Sequence, residues 1–407
     1  MNFNKSLISS LAIIYMLHDM PMLGYRYPAI VYAAIVMALF LTLFFNVGFQ
    51  RFVKILPIFI IPLLDAFIGS KNSFTFFQGL SGLLQLLILP MLALYLYKRR
   101  DVRLSSFLLV FYLGINLITC FTTYIGCQTF PNASRELAAG DATESPFYYI
   151  YLNANIGGFS FVYMMVLFLV LSICTIKNYK QISKKYFSLI FSIAFLIGII
   201  LAIIAAEYTT AILISSASLL LFFVKRKFNF KRVLLLGGFC LFAFWAFKPL
   251  VADGLMTIAD NVESQNVSHR LTDLASSIEG KHTSKNSDMD VREEKYRKSI
   301  SSFINNPLGK WNLASSGGHS YIFDAFAKYG ILGLLLLIIS FKIIFVNYVK
   351  PLQGSFVYGY AVISFLIFIT LATLNPKVFT NFILFVIPLY AFLLPKKSQN
   401  NLYNYNS

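Results

Sequence analysis

The chain has 407 residues, of which 58% are hydrophobic and only 13% are charged, and its net charge is +17. The charged share is about half that of a typical soluble protein, and a soluble fold of this size could not bury so much apolar surface. The composition therefore excludes a soluble enzyme, a nucleic-acid-binding protein and a secreted disulfide scaffold as descriptions of the whole chain. It predicts an all-α, polytopic integral membrane protein with lipid as the solvent for most of its surface.

Twelve apolar blocks are long enough to be membrane-spanning helices, each of which needs about 20 residues. The blocks lie near residues 6–23, 28–48, 53–70, 76–97, 104–124, 156–176, 186–205, 208–224, 232–250, 320–347, 353–373 and 378–395. The first block resembles a signal peptide but lacks a small-residue cleavage site, so we expect it to be a retained helix.

The basic residues fall on alternate connections between these blocks. Runs such as Lys98-Arg99-Arg100, Lys225-Arg226-Lys227 and Lys396-Lys397 belong to one set of loops, and the other set is poor in Lys and Arg. Positive charge is retained on the cytoplasmic side of a membrane protein. The pattern therefore predicts that both termini are cytoplasmic and that residues 396–407 form a cytoplasmic tail.

This topology divides the chain into two membrane regions and a large outer loop. Residues 1–250 hold helices one to nine with a small outer loop at about 125–155, residues 251–318 form the large outer loop, and residues 319–395 hold helices ten to twelve. Within the large loop, residues 268–279 begin with Ser268, which could cap a short helix. Residues 291–304 have apolar residues at helical spacing and a Glu293–Arg297 pair. We expect these segments to form a helical lid on the outer membrane face.

A turn after the lid is the first candidate site. Ser315-Ser316-Gly317-Gly318 leads to His319 and Ser320, where the tenth block begins after Pro307 has ended the preceding helix. A helix N-terminus presents unpaired N–H groups and partial positive charge, so such a turn can bind an anion, and a histidine there can hold or move a proton. A capping turn with an interfacial histidine explains the same residues. Asp324 and Lys328, four residues apart, predict a local ion pair.

Three arginines and one acid of the outer loops are further candidates. Arg270 and Arg292 each lie at or near the start of a predicted lid helix, and Arg135 lies in the small outer loop. The planar guanidinium binds two phosphate oxygens at once, although a loop arginine is most often a solvated charge. Glu207 is the one charge between Lys185 and Lys225. An acid at membrane depth is a functional candidate, and in a hydrated turn it is a simple loop residue.

The segment before the sixth block could bind sugar. Asn153 and Asn155 could bond sugar hydroxyls, and Tyr163 could stack on a sugar ring. Close helix packing and an interfacial aromatic belt explain the same residues. The chain contains no nucleotide-binding, zinc-binding or nucleophile-elbow motif, and we expect neither a metal site nor a cofactor.

One run of the sequence resembles a known superfamily. The segment REEKYRKSISSFINNPLGKW, followed after a gap by GGHSYIFDAFAKYGILG, spans residues 292–333. It is similar to the late signature of the O-antigen polymerase and O-antigen ligase superfamily: an Arg, an amphipathic helix, a Pro-Leu-Gly turn, a His-Ser pair and a helix with a Tyr-Gly-Ile-x-Gly stretch. The number of helices and the long outer loop before the signature also agree with that superfamily.

The resemblance implies a type-C glycosyltransferase-like enzyme that uses glycans linked to undecaprenyl diphosphate. Such an enzyme polymerises repeat units into O-antigen or capsular polysaccharide (Wzy-type activity) at the outer face of the bacterial plasma membrane, without metal or nucleotide sugar. His319, Arg292 and, by a less complete match, Arg270 correspond to the functional His and Arg residues. The implied partners are the lipid-linked donor and acceptor, membrane lipid, a chain-length regulator and a repeat-unit flippase, and no nucleic acid.

Two other functions stay open at this stage. An O-antigen ligase would share the fold and the chemistry but transfer the glycan to lipid A-core. Ligases typically carry Ser-Arg at the outer turn where this chain has Glu207-Tyr208-Thr209-Thr210, which favours a polymerase. A flippase or transporter would place charges within the helices and show internal repeats, whereas the helices here carry few acids and the chain shows no repeat.

Overall fold

The computed structural model describes residues 3–69, 73–139, 146–182, 185–222, 247–262, 265–279, 288–376, 381–390 and 392. The described chain is helical, and none of its residues forms a strand. The helices are α1 Phe3–Leu17, α2 Pro21–Arg26, α3 Ala29–Val47, α4 Phe49–Ile55, α5 Ile60–Gly69, α6 Ser73–Arg99, α7 Val102–Thr129, α8 Ala133–Ala139, α9 Tyr148–Asn153, α10 Phe159–Asn178, α11 Lys185–Ala205, α12 Thr209–Leu219, α13 Lys248–Asn261, α14 Gln265–Glu279, α15 Asp288–Asn305, α16 Tyr321–Ile344, α17 Tyr358–Leu374 and α18 Ile387–Tyr390.

Seven helical segments of the described chain are long and apolar enough to cross a membrane, as expected for a polytopic membrane protein. They are Ala29–Val47, Phe49–Gly69, Gly79–Arg99, Val102–Thr129, Phe159–Gln181, Phe187–Ala205 and Tyr321–Leu352. Three shorter apolar helices, Lys5–Leu17, Thr209–Phe222 and Tyr358–Leu374, coincide with three more of the twelve predicted blocks. The predicted block 232–250 lies mostly outside the described residues, and the block 378–395 is described over 381–390 and at 392.

The first predicted block is broken where a continuous helix was expected. Helix α1 ends at Leu17, and the N–H groups of His18 and Asp19 bond back to carbonyls three residues earlier in a tight turn. Pro21 then opens α2, a position where the missing proline N–H costs nothing. The prediction of one helix through residue 23 is wrong, and the break places the Asp19 carboxylate between two helices.

Helix α10 lies at the centre of the bundle and is the most enclosed of the seven spans. It packs against α11, α12 and α17, and its Phe168 ring makes an edge contact with Phe382 at 4.9 Å. Peripheral helices expose large apolar side chains, for example Ile30, Phe45 and Ile190. Such a surface is stable in lipid and not in water.

Basic residues gather at one end of the bundle. Lys5 pairs with Asp101, and Lys98 donates to the Asn46 carbonyl at 2.7 Å. The start of α1, the end of α3 and the turn between α6 and α7 therefore meet there. This arrangement agrees with the predicted alternation of basic loops.

The opposite end carries α8, α9 and three further helices, α13 to α15, which we call the lid. Helices α13 and α14 pack through a small apolar core that includes Ala252, Leu255 and Leu271. The structure has helices over both predicted lid segments, and α13 is an additional one. The predicted cap at Ser268 is wrong, because α14 already begins at Gln265.

Lid helix α15 rests on α16, the helix that follows it in the chain. Its Tyr296 ring contacts Phe323 at 5.8 Å, and its Phe303 ring contacts Phe326 at 5.7 Å. The predicted Glu293–Arg297 pair is confirmed at 2.7 Å. The Glu293–Arg297 pair faces outwards and the Tyr296 and Phe303 rings face α16. This arrangement explains the amphipathic sequence of α15.

Candidate functional site

The His319 turn joins the lid to α16. The helix begins at Tyr321, with Ser320 as its N-cap, as the sequence predicts for a helix start next to His319. Ser320 is fully buried, and its hydroxyl accepts the Phe323 N–H at 3.1 Å. The structure thus gives Ser320 a capping role, and its predicted substrate contact stays a prediction.

A carboxylate from the first turn of α16 holds this turn in place. Asp324 accepts hydrogen bonds from the Ser299 hydroxyl at 2.8 Å and from the N–H groups of Gly318 and Ser320 at 3.2 Å each. Ser299 in turn accepts the Gly317 N–H at 2.8 Å. The predicted ion pair of Asp324 with Lys328 is wrong, because burial beside these donors gives the carboxylate better partners than a local lysine.

Most of the backbone donors of the turn are therefore already used. Besides the N–H groups bonded to Asp324, the Tyr321 N–H donates to the Asn375 carbonyl at 2.9 Å. The carboxylate of Asp324 occupies the position that the sequence predicts for an external anion. An anion next to His319 would consequently depend mainly on side chains for its binding.

Three basic side chains supply such a site, which we call the cation cluster: Arg292, Lys295 and His319. The Lys295 Nζ lies 2.6 Å from the His319 Nε2, and Arg292 lies three residues before Lys295 on the same face of α15. The sequence predicts Arg292 and His319 but not Lys295. The i, i+3 spacing from Arg292 is the signal that could have identified it.

The contact between Lys295 and His319 joins a donor to an acceptor. A charged lysine has three donors and no acceptor, so the His319 Nε2 accepts in this contact.

Three tyrosines, Tyr296 of α15, Tyr163 of α10 and Tyr208, lie between the cation cluster and the small outer loop. We call this group the aromatic seam. Burial raises the pKa of the Tyr296 phenol, the positive charge of Arg292 opposes that rise, and Tyr163 and Asp324 add to it. Arg292 lies four residues before Tyr296 on α15, and Tyr163 lies on α10. Its hydroxyl donates to the Leu374 carbonyl at 3.1 Å.

The seam continues from Tyr163 to Arg135 and Glu207. The Tyr163 ring lies 5.7 Å from the Tyr208 ring, and the Arg135 guanidinium lies 5.9 Å from the same Tyr208 ring. Arg135 also donates to the Glu207 carbonyl at 2.6 Å. Glu207 has a φ of 54°, a left-handed conformation that costs about 1 kcal/mol or more for a residue with a Cβ. The structure thus brings Arg135, Tyr163 and Glu207 together on one side of the seam.

Two other predicted residues lie in the adjoining loop. The Asn155 amide donates to Thr122 at 3.0 Å and its oxygen accepts the Met22 N–H at 3.2 Å, so the buried side chain joins loops within the protein. Asn153 is exposed and accepts a bond from Arg26 at 3.4 Å. Sugar contacts by these two residues stay predictions. Arg270 lies on α14, and its side chain is outside the described residues.

A cavity of about 840 Å³ lies beside the seam at the lid end of the bundle. Phe159, whose ring is 4.6 Å from Tyr163, lines the cavity together with Tyr321, two residues after His319. Two acids, Asp19 and Asp65, also line it. The volume is in the range of small-molecule sites, about 300–1,000 Å³.

Replacement of Asp324 by alanine tests how the His319 turn is held. The change leaves the Ser299 hydroxyl and two N–H groups without their acceptor, which we expect to destabilise the turn by about 1–3 kcal/mol. Amide hydrogen exchange of residues 317–320 should rise at least about tenfold. Asp253→Ala, at an exposed acid of α13, is the matched control, and equal exchange in both variants would contradict this role of Asp324.

No model of a known protein family matches the chain, and no curated protein matches it at a significant level.

Proposed function

We propose that the chain is a metal-independent glycosyltransferase that polymerises oligosaccharide repeat units carried on undecaprenyl diphosphate. The product is an O-antigen or capsular polysaccharide at the outer face of a bacterial plasma membrane. The observation that supports this proposal best is the cation cluster, which lies at the lid end of an apolar bundle and beside a large cavity. A diphosphate-linked lipid needs this combination: cations for its head, an apolar surface for its tail and space for its glycan.

The cation cluster provides the charge that a diphosphate leaving group needs. Arg292 and Lys295 lie on one face of α15, and neither belongs to the exposed Glu293–Arg297 pair. Because an arginine fork binds two phosphate oxygens and an ammonium binds as a point charge, the two residues can neutralise one diphosphate together. Their attraction increases as negative charge develops on the leaving oxygen, so they favour the transition state over the bound donor.

The transfer step exchanges one bond at the anomeric carbon of the donor glycan. A hydroxyl at the non-reducing end of the acceptor unit attacks that carbon, and the bond from the carbon to the diphosphate oxygen breaks. The hydroxyl proton passes to His319, once its Nε2 is released from Lys295, or to the departing diphosphate. The contact of 2.6 Å with Lys295 holds the imidazole next to the cations of α15.

The proposed membrane arrangement has twelve spanning helices of the type-C glycosyltransferase kind, with both termini in the cytoplasm. Seven spans and three shorter apolar helices in the described residues support it. The basic end around Lys98 would face the cytoplasm, where positive loops are retained, and the lid would face outwards. The proposed partners are the lipid-linked donor and acceptor, surrounding lipid, a chain-length regulator and a repeat-unit flippase.

Two rival functions predict different products. An O-antigen ligase would use the same cation cluster with lipid A-core as acceptor, and the Glu207-Tyr208 turn, in place of Ser-Arg, counts against it. A transporter is the rival that the structure itself supports in one respect, because Asp19 and Asp65 line a cavity inside the bundle. Acids in such a position also occur on ion and substrate pathways.

A gel profile of surface polysaccharide and lipid-linked intermediates, from a bacterial strain that lacks the gene, separates the three functions. Single repeat units on the surface anchor are expected and would identify a polymerase. Long polymer that stays on its lipid carrier would identify a ligase and refute the proposal. Units trapped on the cytoplasmic face would identify a flippase and also refute it.

Lys295→Ala tests the residue that the sequence did not predict. Loss of one charge-assisted contact to the diphosphate should lower the polymerisation rate about 10- to 100-fold. Lys295→Arg, which keeps the positive charge, should restore part of the rate, and an exposed lysine on the same helix supplies the control Lys298→Ala. Equal rates for Lys295→Ala and the control would remove Lys295 from the site.

A further inference from the structure

The carboxylates of Asp19 and Asp65 line the cavity beside the seam. The proposed donor site does not use them. We infer that this cavity binds the neutral sugar part of the acceptor unit, with Asp19 and Asp65 as acceptors for its hydroxyl groups. The inference deepens the proposed function and rests on it for the identity of the glycan. The two carboxylates and the aromatic rings that line the cavity favour a ligand with many hydroxyl groups.

Asp19 lies at the break between α1 and α2. Its side chain is exposed and lines the cavity. Tyr112 lines the same cavity, and no cation of the described chain pairs with Asp19. A carboxylate offers about four acceptor positions, so hydrogen-bond donors can reach it from the cavity. An acid at membrane depth without a counter-ion is costly, and such residues usually have a function.

Asp65, on α5, reaches the same cavity with its charge already balanced. The Lys328 ammonium donates to its Oδ1 at 2.8 Å, and the Tyr329 hydroxyl donates to the same oxygen at 2.7 Å. Both bonds end at Oδ1, which leaves Oδ2 for a ligand. A metal or sodium ion at Asp65 would have to compete with Lys328, whereas a neutral hydroxyl would not. The pairing therefore favours a ligand that donates hydrogen bonds without carrying charge.

The rest of the lining suits the apolar faces of sugar rings. Aromatic rings of Tyr148, Phe159, Phe161 and Tyr321 face the cavity. A mainly apolar wall with a few well-placed polar groups is typical of small-molecule sites. Because the Phe159 ring contacts Tyr163 of the seam and Tyr321 follows the His319 turn, a glycan in the cavity would end beside the cation cluster. The acceptor hydroxyl would then lie next to the donor diphosphate.

Binding of a free oligosaccharide to the purified full-length protein tests the inference without the lipid diphosphate. The probe is the repeat unit released from the host's own surface polysaccharide, titrated by calorimetry in detergent micelles. Asp19→Asn removes the charge and keeps the shape, and the Kd should rise about tenfold or more, because a hydrogen bond to a charged group is strong. Asp253→Asn, on the exposed face of α13, is the matched control and should bind like the natural protein.

A second variant fills the cavity without a change of charge. Gly82, on α6, lines the cavity, and a Cβ added there would meet no atom within 4 Å. Gly82→Leu should therefore fold, since leucine is also the better helix former, and it should abolish oligosaccharide binding. Normal elution of both variants on size-exclusion chromatography confirms that the fold is intact.

The outcomes separate this inference from the proposed function. Unchanged oligosaccharide binding in Asp19→Asn and Gly82→Leu, or no binding to the natural protein, would overturn the inference even if polymerisation is observed. Sodium binding that Asp19→Asn abolishes, without any oligosaccharide binding, would also overturn it. Oligosaccharide binding that both variants lose, in a protein that makes no polymer, would keep the sugar site and refute the polymerase.

Discussion

Arg292→Ala is expected to abolish polymer formation while the protein stays in the membrane at its normal level. Arg292 is the one arginine of the cation cluster, and the loss of a preorganised group at a developing charge typically costs about 10²–10³ in rate. Arg292 lies four residues before Tyr296, whose ring packs on Phe323 of α16, so both residues lie on the inner side of α15. The measurement is the surface polysaccharide profile of a complemented strain, with the amount of membrane protein determined in parallel.

The same helix offers a matched control. The Arg297 side chain is 79% exposed and paired with Glu293, so Arg297→Ala removes the same charge from the outer face of α15 and should leave the polymer unchanged. His319→Ala should behave like Arg292→Ala. Polymer of normal length from both cluster variants would show that the site has been assigned wrongly.

Gly330→Ala is expected to destabilise the fold more than any other single change that we consider. Helix α16 is kinked at Gly330, where φ is 59° and ψ is −139°, a combination that is essentially restricted to glycine. An added Cβ would overlap the Pro307 carbonyl oxygen and lie 2.5 Å from the Gly309 nitrogen. We expect a loss of roughly 3 kcal/mol or more from strain and overlap together.

Thermal unfolding in detergent measures this effect. Gly114→Ala, in the spanning helix α7, is the control, because a Cβ there meets no atom within 4 Å and alanine is the better helix former. The Gly330 variant should unfold at a clearly lower temperature and the Gly114 variant at the natural temperature or above. Equal unfolding temperatures would mean that the kink does not need glycine.

The kink also gives a physical reason for two parts of the sequence signature. The Pro307 carbonyl accepts the Ile331 N–H at 2.8 Å, and the Lys328 carbonyl accepts the Trp311 N–H at 2.9 Å. The Pro-Leu-Gly turn therefore satisfies backbone groups that the broken helix leaves open, inside a region where an unbonded group is costly. Gly309 and Gly330 face each other because any side chain would keep the two segments apart.

The sequence predicts those features that depend on near neighbours along the chain. The lid helix α15, the Glu293–Arg297 pair and the position of His319 before a helix all follow from spacings of three to eight residues. The same reasoning assigned Lys328 to Asp324, and there it is wrong. Lys328 bonds to Asp65 instead, a partner 263 positions away that no local spacing can indicate.

The cavity and the position of Lys295 could not be predicted from the sequence, because both depend on contacts between distant parts of the chain. Asp19 was part of an expected continuous helix, and the break that aims it at the cavity depends on packing against other helices. In the sequence, Lys295 is one of several lysines on a solvated helix. Only the structure shows that it lies beside His319. The residue types of the site were visible in the sequence, but their convergence was not.

The first part of α16 also acts as a spacer of fixed length. Its start is pinned by Asp324 and by the bond of Tyr321 to Asn375, and its end is pinned by the bond of Lys328 to Asp65. Seven residues of helical rise separate Tyr321 from Lys328, roughly 10 Å. A ligand that contacts both the His319 turn and Asp65 therefore has to span this distance.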